Sequence, residues 1–526
     1  MTPLVDAEAR RAIREDLVSS LVVEAAAGTG KTTEMIARII AVIRTGAATL
    51  DRIVAVTFTE KAAGEMKLRL RTELERARNA VTSGDERDRL EAALEKLEVA
   101  RVGTIHSFCT DLLKERPIEA RVDPLFEVAA EDEADHLYQQ AFDTWFQAAL
   151  GDPPEGVRRL LRRDDPTDLL RDAGHALKER RDFDGAWRRD PFVRDAAIDE
   201  LVIELATLGP LAALGHPADP LAKLFRRIEV WIAELGRRDG VRRRDHDGLE
   251  AELAKVGKWY EWRYSGRKQL YAEGMPRAAV LEQRDAVKAA LDAFLIAAEA
   301  DLAACLHGEL RPLVAEYERL KARAGRLDFL DLLARARDLL RDDRRVRNEM
   351  QLRFTHFYVD EFQDTDPLQV EILLLLCADD PAVSDASRAT VAPGKLFVVG
   401  DPKQAIYRFR RADVAVYEAV KRRLLADGAR LVHLATSFRS VPSIQAAINA
   451  AFAPVMSGDG QASYVALEHH RADITDQPTL VALPVPEPYN WRGDVTNWAI
   501  QQSYPDAVAA FVAHAISAST WTVSSG

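Results

Sequence analysis

Residues 21–32 read LVVEAAAGTGKT, and this stretch decides the fold. Its first five residues form a short apolar run, typical of a buried strand, that leads into a loop of small residues and glycine. A helical pattern follows over residues 33–45. Gly28 and Gly30 permit backbone angles that point successive N–H groups inward, and the start of a helix adds positive potential. The order of strand, glycine loop and helix predicts a phosphate site, although a small-residue turn that caps a helix has the same composition.

The residues of this loop have defined chemical roles in such a site. Lys31 is expected to reach the β and γ phosphates of a nucleotide, and the Thr32 hydroxyl is expected to bind Mg²⁺. The first glycine of the usual pattern is Ala25 in this chain. The predicted nucleotide contacts of the loop are Ala25, Ala26, Ala27, Gly28, Thr29, Gly30, Lys31, Thr32 and Thr33.

A carboxylate after a second strand would complete a nucleotide site. Residues 357–364 read FYVDEFQD, so Asp360 follows apolar residues and can hold Mg²⁺, while Glu361 can orient or deprotonate a water. An Asp-Glu pair after a strand more often lies in a solvated loop. Together with the phosphate loop, however, the pair favours a metal site, and the predicted cofactors are ATP and Mg²⁺.

Other short apolar runs alternate with helical patterns, which predicts a parallel α/β sheet. From about Pro117 to about Leu310 the pattern is mostly helical, which indicates a helical insertion. A further helix is predicted from about Val441 to Ala453. The predicted strands after the first lie at residues 53–58, 354–359, 395–399 and 431–434.

Composition and charge exclude several classes of protein. The 526 residues are 47% hydrophobic and 30% charged, which suits a large globular protein with several domains. The net charge of −12 excludes nonspecific binding of nucleic acid through an overall positive charge, so DNA binding would need a local basic groove. Three scattered cysteines exclude a disulfide framework and a four-cysteine cluster. A polar start and short apolar runs predict a soluble, cytoplasmic protein with no membrane partner.

Six motifs follow one another along the chain: AAAGTGKT, AVTFTEKAAGEMKLRLR, GTIHSFC, VDEFQDTDPLQ, FVVGDPKQAIYRFRRAD and SFRS. In this order they resemble the motifs of UvrD/Rep-type superfamily 1 DNA helicases, and most closely those of the AddA and RecB helicase subunits. The resemblance implies an α/β fold with a RecA-like P-loop NTPase domain (1–116 and 311–440), a large inserted helical domain (117–310) and the incomplete start of a second RecA-like domain (441–526). It implies an ATP-dependent DNA helicase or translocase of 3′→5′ polarity in DNA repair and recombination.

The same resemblance implies roles for residues outside the phosphate loop. Gln404 is similar to a glutamine that senses the γ phosphate, Arg439 to an arginine finger, and Phe438 to an aromatic that stacks on adenine. Aromatic faces stack on any base, which suits a protein that moves along DNA. Each aromatic could instead be a core residue, and His106 a structural histidine. The implied contacts to single-stranded DNA are Phe58, Thr104, His106, Tyr407 and Phe409.

The insertion holds one further stretch in which basic and aromatic residues alternate. It could form a DNA path, but an amphipathic helix with its apolar side packed is the favoured interpretation. The stretch comprises Lys255, Lys258, Trp259, Tyr260, Trp262, Arg263, Tyr264, Arg267 and Lys268.

The chain departs from the family pattern in two respects, and the first concerns recognition of the nucleotide base. Ala9 stands near a glutamine that reads adenine in many members, and Thr33 stands where an arginine is common. We therefore expect weak discrimination between ATP and other purine triphosphates.

The second departure is that residues 440–526 show no later helicase motifs and no nuclease domain. The chain is interpreted as the N-terminal half of a longer helicase, with a fragment, a split gene and a frameshift all left open. The alternative function is a truncated nucleotide-dependent DNA-binding module that cannot unwind alone. Expected partners are single-stranded DNA, duplex/single-strand junctions, and a second helicase-nuclease subunit or a C-terminal half in trans.

Overall fold

The computed structural model describes residues 4–183, 185, 187, 189–266, 269–407, 411–456, 464–473, 476–483, 494 and 496–522. The chain folds into two compact units, one formed by Met1–Pro124 with Asp331–Gly526 and the other by Leu125–Leu330. The strands are β1 (Leu21–Ala25), β2 (Ile53–Thr57), β3 (Arg101–Thr104), β4 (Glu127–Val128), β5 (Leu270–Ala272), β6 (Met275–Pro276), β7 (Arg326–Leu327), β8 (His356–Val359), β9 (Leu396–Gly400), β10 (Arg430–Leu434), β11 (Thr436–Ser437) and β12 (Glu468–His469).

Helices make up most of the remaining regular structure. They are α1 (Ala7–Glu15), α2 (Lys31–Thr45), α3 (Glu60–Ala80), α4 (Asp85–Glu95), α5 (Ile105–Glu115), α6 (Glu131–Gly151), α7 (Glu155–Leu160), α8 (Pro166–Lys178), α9 (Arg194–Ala206), α10 (Leu211–Leu214), α11 (Pro220–Asp239), α12 (His246–Gly257), α13 (Arg277–Glu309), α14 (Arg311–Ala324), α15 (Phe329–Asp342), α16 (Arg344–Arg353), α17 (Pro367–Cys377), α18 (Val414–Ala426), α19 (Pro442–Phe452) and α20 (Asn497–Ser517).

The first unit is built on a six-stranded parallel sheet in the order β10-β1-β9-β8-β2-β3. In the register of the sheet, Val23 of β1 lies between Val432 of β10 and Val399 of β9. All five residues of β2 are buried, as expected for parallel strands that are covered on both faces. The predicted α/β class with a parallel sheet is confirmed. The sequence pattern does not predict strand β3, because this strand has only four residues, begins with arginine and is partly exposed.

The topology brings three loops to one edge of the sheet. The carboxyl ends of parallel strands meet at the same edge, where ligands of open α/β sheets bind. The glycine loop follows β1, Asp360 follows β8, and Asp401 follows β9. Residues that lie far apart along the chain thus become neighbours.

Helix α2 packs its apolar side against this sheet and is held by one buried arginine. Met35, Ile36, Ile39 and Ile43 are buried in the same core as the strands. Arg38 is 1% exposed and donates to the backbone carbonyls of Ile13, at 2.8 Å, Asp16, at 2.6 Å, and Ser19, at 2.9 Å. These three bonds fix the segment between α1 and β1 against α2. Burial lowers the pKa of the Arg38 guanidinium.

The second unit is mainly helical and has two apolar cores of its own. A buried ion network lies between its helices: Arg159 donates to Glu250 at 2.9 Å and to Asp301 at 2.6 Å. Such buried charges are tolerated because each is paired. The unit extends to residue 330, beyond the predicted end at residue 310. The reason is that α14 buries Leu313 and Tyr317 in one of these cores.

Within the part of the chain that the structure describes, no helix combines the length and the apolar character needed to span a lipid bilayer.

We expect Arg38→Met to lower the free energy of unfolding of the first unit by about 2–4 kcal/mol, because one buried and two partly buried carbonyls lose their donor. Urea denaturation followed by pulsed hydrogen–deuterium exchange of the β1 and α2 amides measures the change. Arg69→Met, which replaces an exposed arginine on α3, is the matched control and should leave the midpoint unchanged. Equal midpoints for the two variants would contradict the structural role of Arg38.

Candidate functional site

The glycine loop lies against the segment that follows β10. Gly28 and Gly30 have φ angles of +76° and +84°, the left-handed region that glycine adopts without strain. A Cβ atom at Gly28 would lie 2.5 Å from the Cβ of Arg439. The Gly28 carbonyl accepts a hydrogen bond from the Phe438 backbone N–H at 2.7 Å. Only glycine therefore permits this close approach of the two segments.

Two contacts connect the first turn of α2 with the end of β8. The Lys31 ammonium lies 2.7 Å from the Glu361 carboxylate, although the two residues are 330 positions apart in the chain. The Thr32 hydroxyl donates to the Asp360 carboxylate at 2.8 Å. Four of the predicted site residues are thus in one place.

These residues are chemically suited to Mg²⁺ and to phosphate. A hydroxyl and a carboxylate oxygen are the hard ligands that Mg²⁺ prefers, and an ammonium at a helix N-terminus suits phosphate. Asp360 is 6% exposed, and its pKa is raised by burial first and by the neighbouring Glu361 charge second. A bound cation would relieve both effects, which supports a metal at this position.

Glu361 is held in a conformation that few non-glycine residues adopt. Its φ angle is +52°, in the left-handed region. Strain of this kind persists only where neighbouring contacts hold it, and it is concentrated at functional sites. The Gln363 amide, which donates to the Glu361 carboxylate at 2.8 Å, is one such contact.

A chain of hydrogen bonds leads from Glu361 to the loop after β9, through two residues that sequence reasoning missed. The Gln363 side-chain oxygen accepts from the Asp401 backbone N–H at 2.8 Å. The Asp401 carboxylate accepts from the Gln404 amide at 2.8 Å. Gln363 and Asp401 both lie inside the motifs quoted above, two residues after Glu361 and three residues before Gln404. This closeness along the chain to predicted site residues was the signal that could have identified them.

Gly400 has no room for a side chain, because Gln363 passes close to its backbone. A Cβ atom at Gly400 would lie 2.6 Å from the Gln363 side-chain oxygen and 3.1 Å from its backbone nitrogen. A side chain at this position would push Gln363 away from Asp401. The end of β9 therefore has to be glycine for the hydrogen-bond chain to form.

Asp364 is a second buried carboxylate beside Glu361. Burial, and next the Glu361 charge, raise the pKa of Asp364 to about 6. One of its carboxylate oxygens has no hydrogen-bond partner within the described part of the chain. Asp360, Glu361 and Asp364 line a small cavity of about 20 Å³, which is room for one water.

Among the residues predicted to contact the base and the γ phosphate, Phe438 and Arg439 lie against Gly28 of the glycine loop, whereas Gln404 lies in the loop after β9. The Phe438 ring is partly buried between Arg10, 5.0 Å from its centroid, and His470, 4.9 Å away. Arg439, Gln404 and Thr33 are exposed.

The predicted DNA contacts fall into different environments. Phe58, at the end of β2, and Tyr407 lie with ring centroids 4.7 Å apart and are both partly exposed. Thr104 is 6% exposed and donates to Glu60 at 2.7 Å, so its hydroxyl has an internal partner. His106 is partly exposed on α5. Phe409 lies outside the described residues.

The aromatic stretch of the second unit is divided between core and surface. Trp262 is buried in an apolar core, and Trp259 is covered by the Arg227 guanidinium at 4.1 Å. Tyr260 is exposed. Arg267 and Lys268 lie outside the described residues. The packed tryptophans match the apolar packing of the favoured interpretation, but the helix is wrong: α12 ends at Gly257, and residues Tyr260–Arg263 form a short 3-10 turn.

Comparison with known proteins identifies a family. Residues 5–424 match the family model described as the UvrD/REP helicase N-terminal domain. The chain is 27% identical over 502 residues to an ATP-dependent helicase/nuclease subunit of Syntrophomonas wolfei, a match that covers 85% of this chain and 38% of the relative. It is 29% identical over 496 residues to the subunit of the same name from Geobacillus thermodenitrificans, with 83% and 38% covered. The chain thus spans less than half the length of these relatives, and the predicted family is confirmed.

We expect Asp364→Asn to stabilise the nucleotide-free protein at pH 7 but not at pH 4. Because the pKa of Asp364 is about 6 in the folded state and near 3.8 when unfolded, the folded state binds this proton more tightly. Stability is therefore lost as the pH rises from about 4 to about 6, by at most about 3 kcal/mol, and asparagine removes that loss.

Urea midpoints measured between pH 4 and pH 7 test this dependence. Asp379→Asn, which replaces an exposed carboxylate, is the control and should follow the wild-type curve. A constant difference between Asp364→Asn and wild type at all pH values would contradict the titration of Asp364.

Proposed function

This chain belongs to the UvrD/REP helicase family, and we propose that it binds ATP with Mg²⁺ and couples hydrolysis to movement along single-stranded DNA. One observation carries the proposal. Lys31 and Thr32, at the start of α2, contact Glu361 and Asp360, at the end of β8, at 2.7 Å and 2.8 Å. A phosphate-binding lysine, a metal-binding pair and a candidate general base are thus within reach of one ligand.

Each of these residues takes one role in the proposed reaction. Lys31 holds the phosphates, and Thr32 with Asp360 holds Mg²⁺, which neutralises phosphate charge when bound. Glu361 orients the attacking water and accepts its proton. The Lys31 side chain is only 10% exposed, so the electrostatic contacts in this site are weakly screened by solvent.

Gln404 and Arg439 are proposed to respond to the γ phosphate. Support for Gln404 comes from the hydrogen-bond chain that joins it, through Asp401 and Gln363, to Glu361. Support for Arg439 comes from its position against Gly28 of the glycine loop. Both side chains are exposed, as contacts to a ligand require.

Single-stranded DNA is proposed to pass over the surface formed by Phe58 and Tyr407. Their rings are 4.7 Å apart, and stacked bases need no sequence-specific contacts. Tyr407 lies three residues after Gln404, so a shift of Gln404 on ATP binding would reach the DNA surface directly. A 3′→5′ direction and contacts from His106 and Phe409 belong to the same proposal.

The domain organisation is proposed from the same comparison. The parallel sheet with its flanking helices forms a RecA-like ATP-binding domain, into which the helical unit Leu125–Leu330 is inserted. Residues after 440 begin a second RecA-like domain. The relatives are named as subunits of an ATP-dependent helicase/nuclease, so we infer a role in DNA repair and recombination, at duplex/single-strand junctions and with a partner subunit.

ATP turnover by this chain is expected to rise when single-stranded DNA is added and to fall at least about 100-fold in Lys31→Ala, because the loop loses its phosphate-binding charge. Phosphate release, measured with and without a thymidine oligonucleotide, provides the readout. Glu361→Gln should retain ATP binding and lose turnover.

Lys223→Ala, at an exposed lysine of the second unit, is the control and should match wild type. ATP binding with negligible turnover in the wild-type chain would favour the alternative, a nucleotide-dependent DNA-binding module. Turnover that survives Lys31→Ala would reject the site itself.

Tyr407→Ala is expected to weaken binding of single-stranded DNA about 5- to 100-fold, because one stacking surface is removed. Tyr407→Phe keeps the ring and should bind nearly as well as wild type. Fluorescence anisotropy of a labelled oligonucleotide measures both. Phe452→Ala removes an aromatic that is 50% exposed elsewhere in the same unit and serves as control. Unchanged affinity in Tyr407→Ala would exclude this surface as the DNA path.

A further inference from the structure

Arg10 is a buried arginine between the glycine loop and Phe438, and it stands next to Ala9 on α1. Ala9 stands near the position at which the family resemblance implies a glutamine, and Thr33 stands where it implies an arginine; the alanine side chain has no polar group, and threonine has no planar group for stacking. Arg10 is only 7% exposed. Its contacts therefore affect the part of the proposed site that binds the nucleotide base.

The guanidinium of Arg10 uses all three of its nitrogens within the protein. Nε and Nη2 donate to the two carboxylate oxygens of Asp6 at 2.9 Å and 2.8 Å. Nη1 donates to Glu34 at 3.0 Å, and Nη2 also donates to the Thr29 carbonyl of the glycine loop at 3.0 Å. The carbon of the guanidinium lies 5.0 Å from the centroid of the Phe438 ring.

Asp6 extends this cluster to the segment that leads to Phe438. Its carboxylate accepts from the backbone N–H groups of Ala435, at 3.1 Å, and Thr436, at 3.0 Å, and from the Thr436 hydroxyl at 2.9 Å. One pair of side chains, Asp6 and Arg10, therefore connects the glycine loop, helix α2 and the segment before Phe438.

Both members of the pair stay charged. Burial opposes ionisation of Asp6, but hydrogen bonds from Arg10 and Thr436 outweigh it and lower the Asp6 pKa. Burial likewise opposes the charge on Arg10, and hydrogen bonds to Asp6 and Glu34 outweigh it and raise the Arg10 pKa. A lysine could not replace this arrangement, because only the planar fork of arginine donates to several partners in fixed directions.

We propose that Arg10 is a positioning residue that fixes the Phe438 ring relative to the glycine loop, so that base stacking and phosphate binding act on one nucleotide. This inference rests on the proposed function. Because four of the five N–H groups of Arg10 donate within the protein, the cluster has little capacity left to hydrogen-bond a base edge. The site then selects nucleotides by stacking and by phosphate contacts, which are nearly the same for ATP and GTP.

Loss of the Arg10 contacts should weaken the binding of ligands that carry a base and leave the binding of ligands without a base nearly unchanged. The side chains proposed to bind phosphate and Mg²⁺, Lys31 and Thr32, bond to Glu361 and Asp360, whereas the bond from Arg10 to the glycine loop goes to the Thr29 backbone carbonyl. A misplaced Phe438 ring costs stacking energy, at ~1–3 kcal/mol per base, only for a nucleotide. Inorganic tripolyphosphate with Mg²⁺ is therefore the matched ligand without a base.

Isothermal titration of the full chain with MgATP, MgGTP and magnesium tripolyphosphate tests this inference. In wild type, the dissociation constants for ATP and GTP should agree within about threefold. Arg10→Lys should weaken both about tenfold while changing tripolyphosphate binding less than about threefold. Arg11→Ala, on an exposed position of the same helix, is the control and should resemble wild type.

A second variant makes the test independent of any loss of folding in Arg10→Lys. Phe438→Ala removes the ring through which Arg10 is proposed to act. In that background, Arg10→Lys should have little further effect on ATP binding. Equal weakening of all three ligands, an unchanged affinity in Arg10→Lys, or additive effects of the two substitutions would overturn the positioning role. Wild-type protein that binds none of the ligands would instead overturn the proposed function.

Discussion

Two adjacent carboxylates at the end of a buried strand are the constraint on which the rest of the site depends. Asp360 is nearly inaccessible, and Glu361 beside it has a left-handed backbone. Such charges are stable only when opposite charge or donors face them. The start of α2 supplies both, through Lys31 and Thr32. In the sheet, only β9 lies between β1 and β8. This order brings the start of α2, which follows β1, close to the two carboxylates at the end of β8.

Local chemistry in the sequence predicts much of this arrangement. Gly28, Gly30, Lys31 and Thr32 are recognisable because backbone freedom, charge and a hydroxyl occur at a fixed spacing. The parallel sheet follows from apolar runs, whereas β3 is hidden by its shortness and its arginine. The contacts of the site residues with nucleotide and DNA remain predictions.

Residues whose role depends on contacts with distant parts of the chain cannot be predicted from local sequence chemistry. Gln363 bonds Asp401 only because β8 and β9 are neighbours in a particular register. An arginine on a short, charged helix normally indicates a solvated side chain, yet Arg10 is buried by its contacts with Asp6 and with a segment more than 400 positions away. Sequence patterns report the neighbours of a residue along the chain, and these partners lie elsewhere.

The position of β1 in the sheet has a consequence for biosynthesis. Both strands that flank it, β9 and β10, come from residues 396–434, whereas β1 ends at Ala25. At ~5–20 residues per second, a ribosome needs roughly 20–80 s to make the intervening chain. During that time the strand that carries the glycine loop has neither of its partners, and the backbone N–H and C=O groups along both of its edges stay unpaired. We therefore expect the newborn chain to depend on chaperones that shield this strand until its partners have been synthesised.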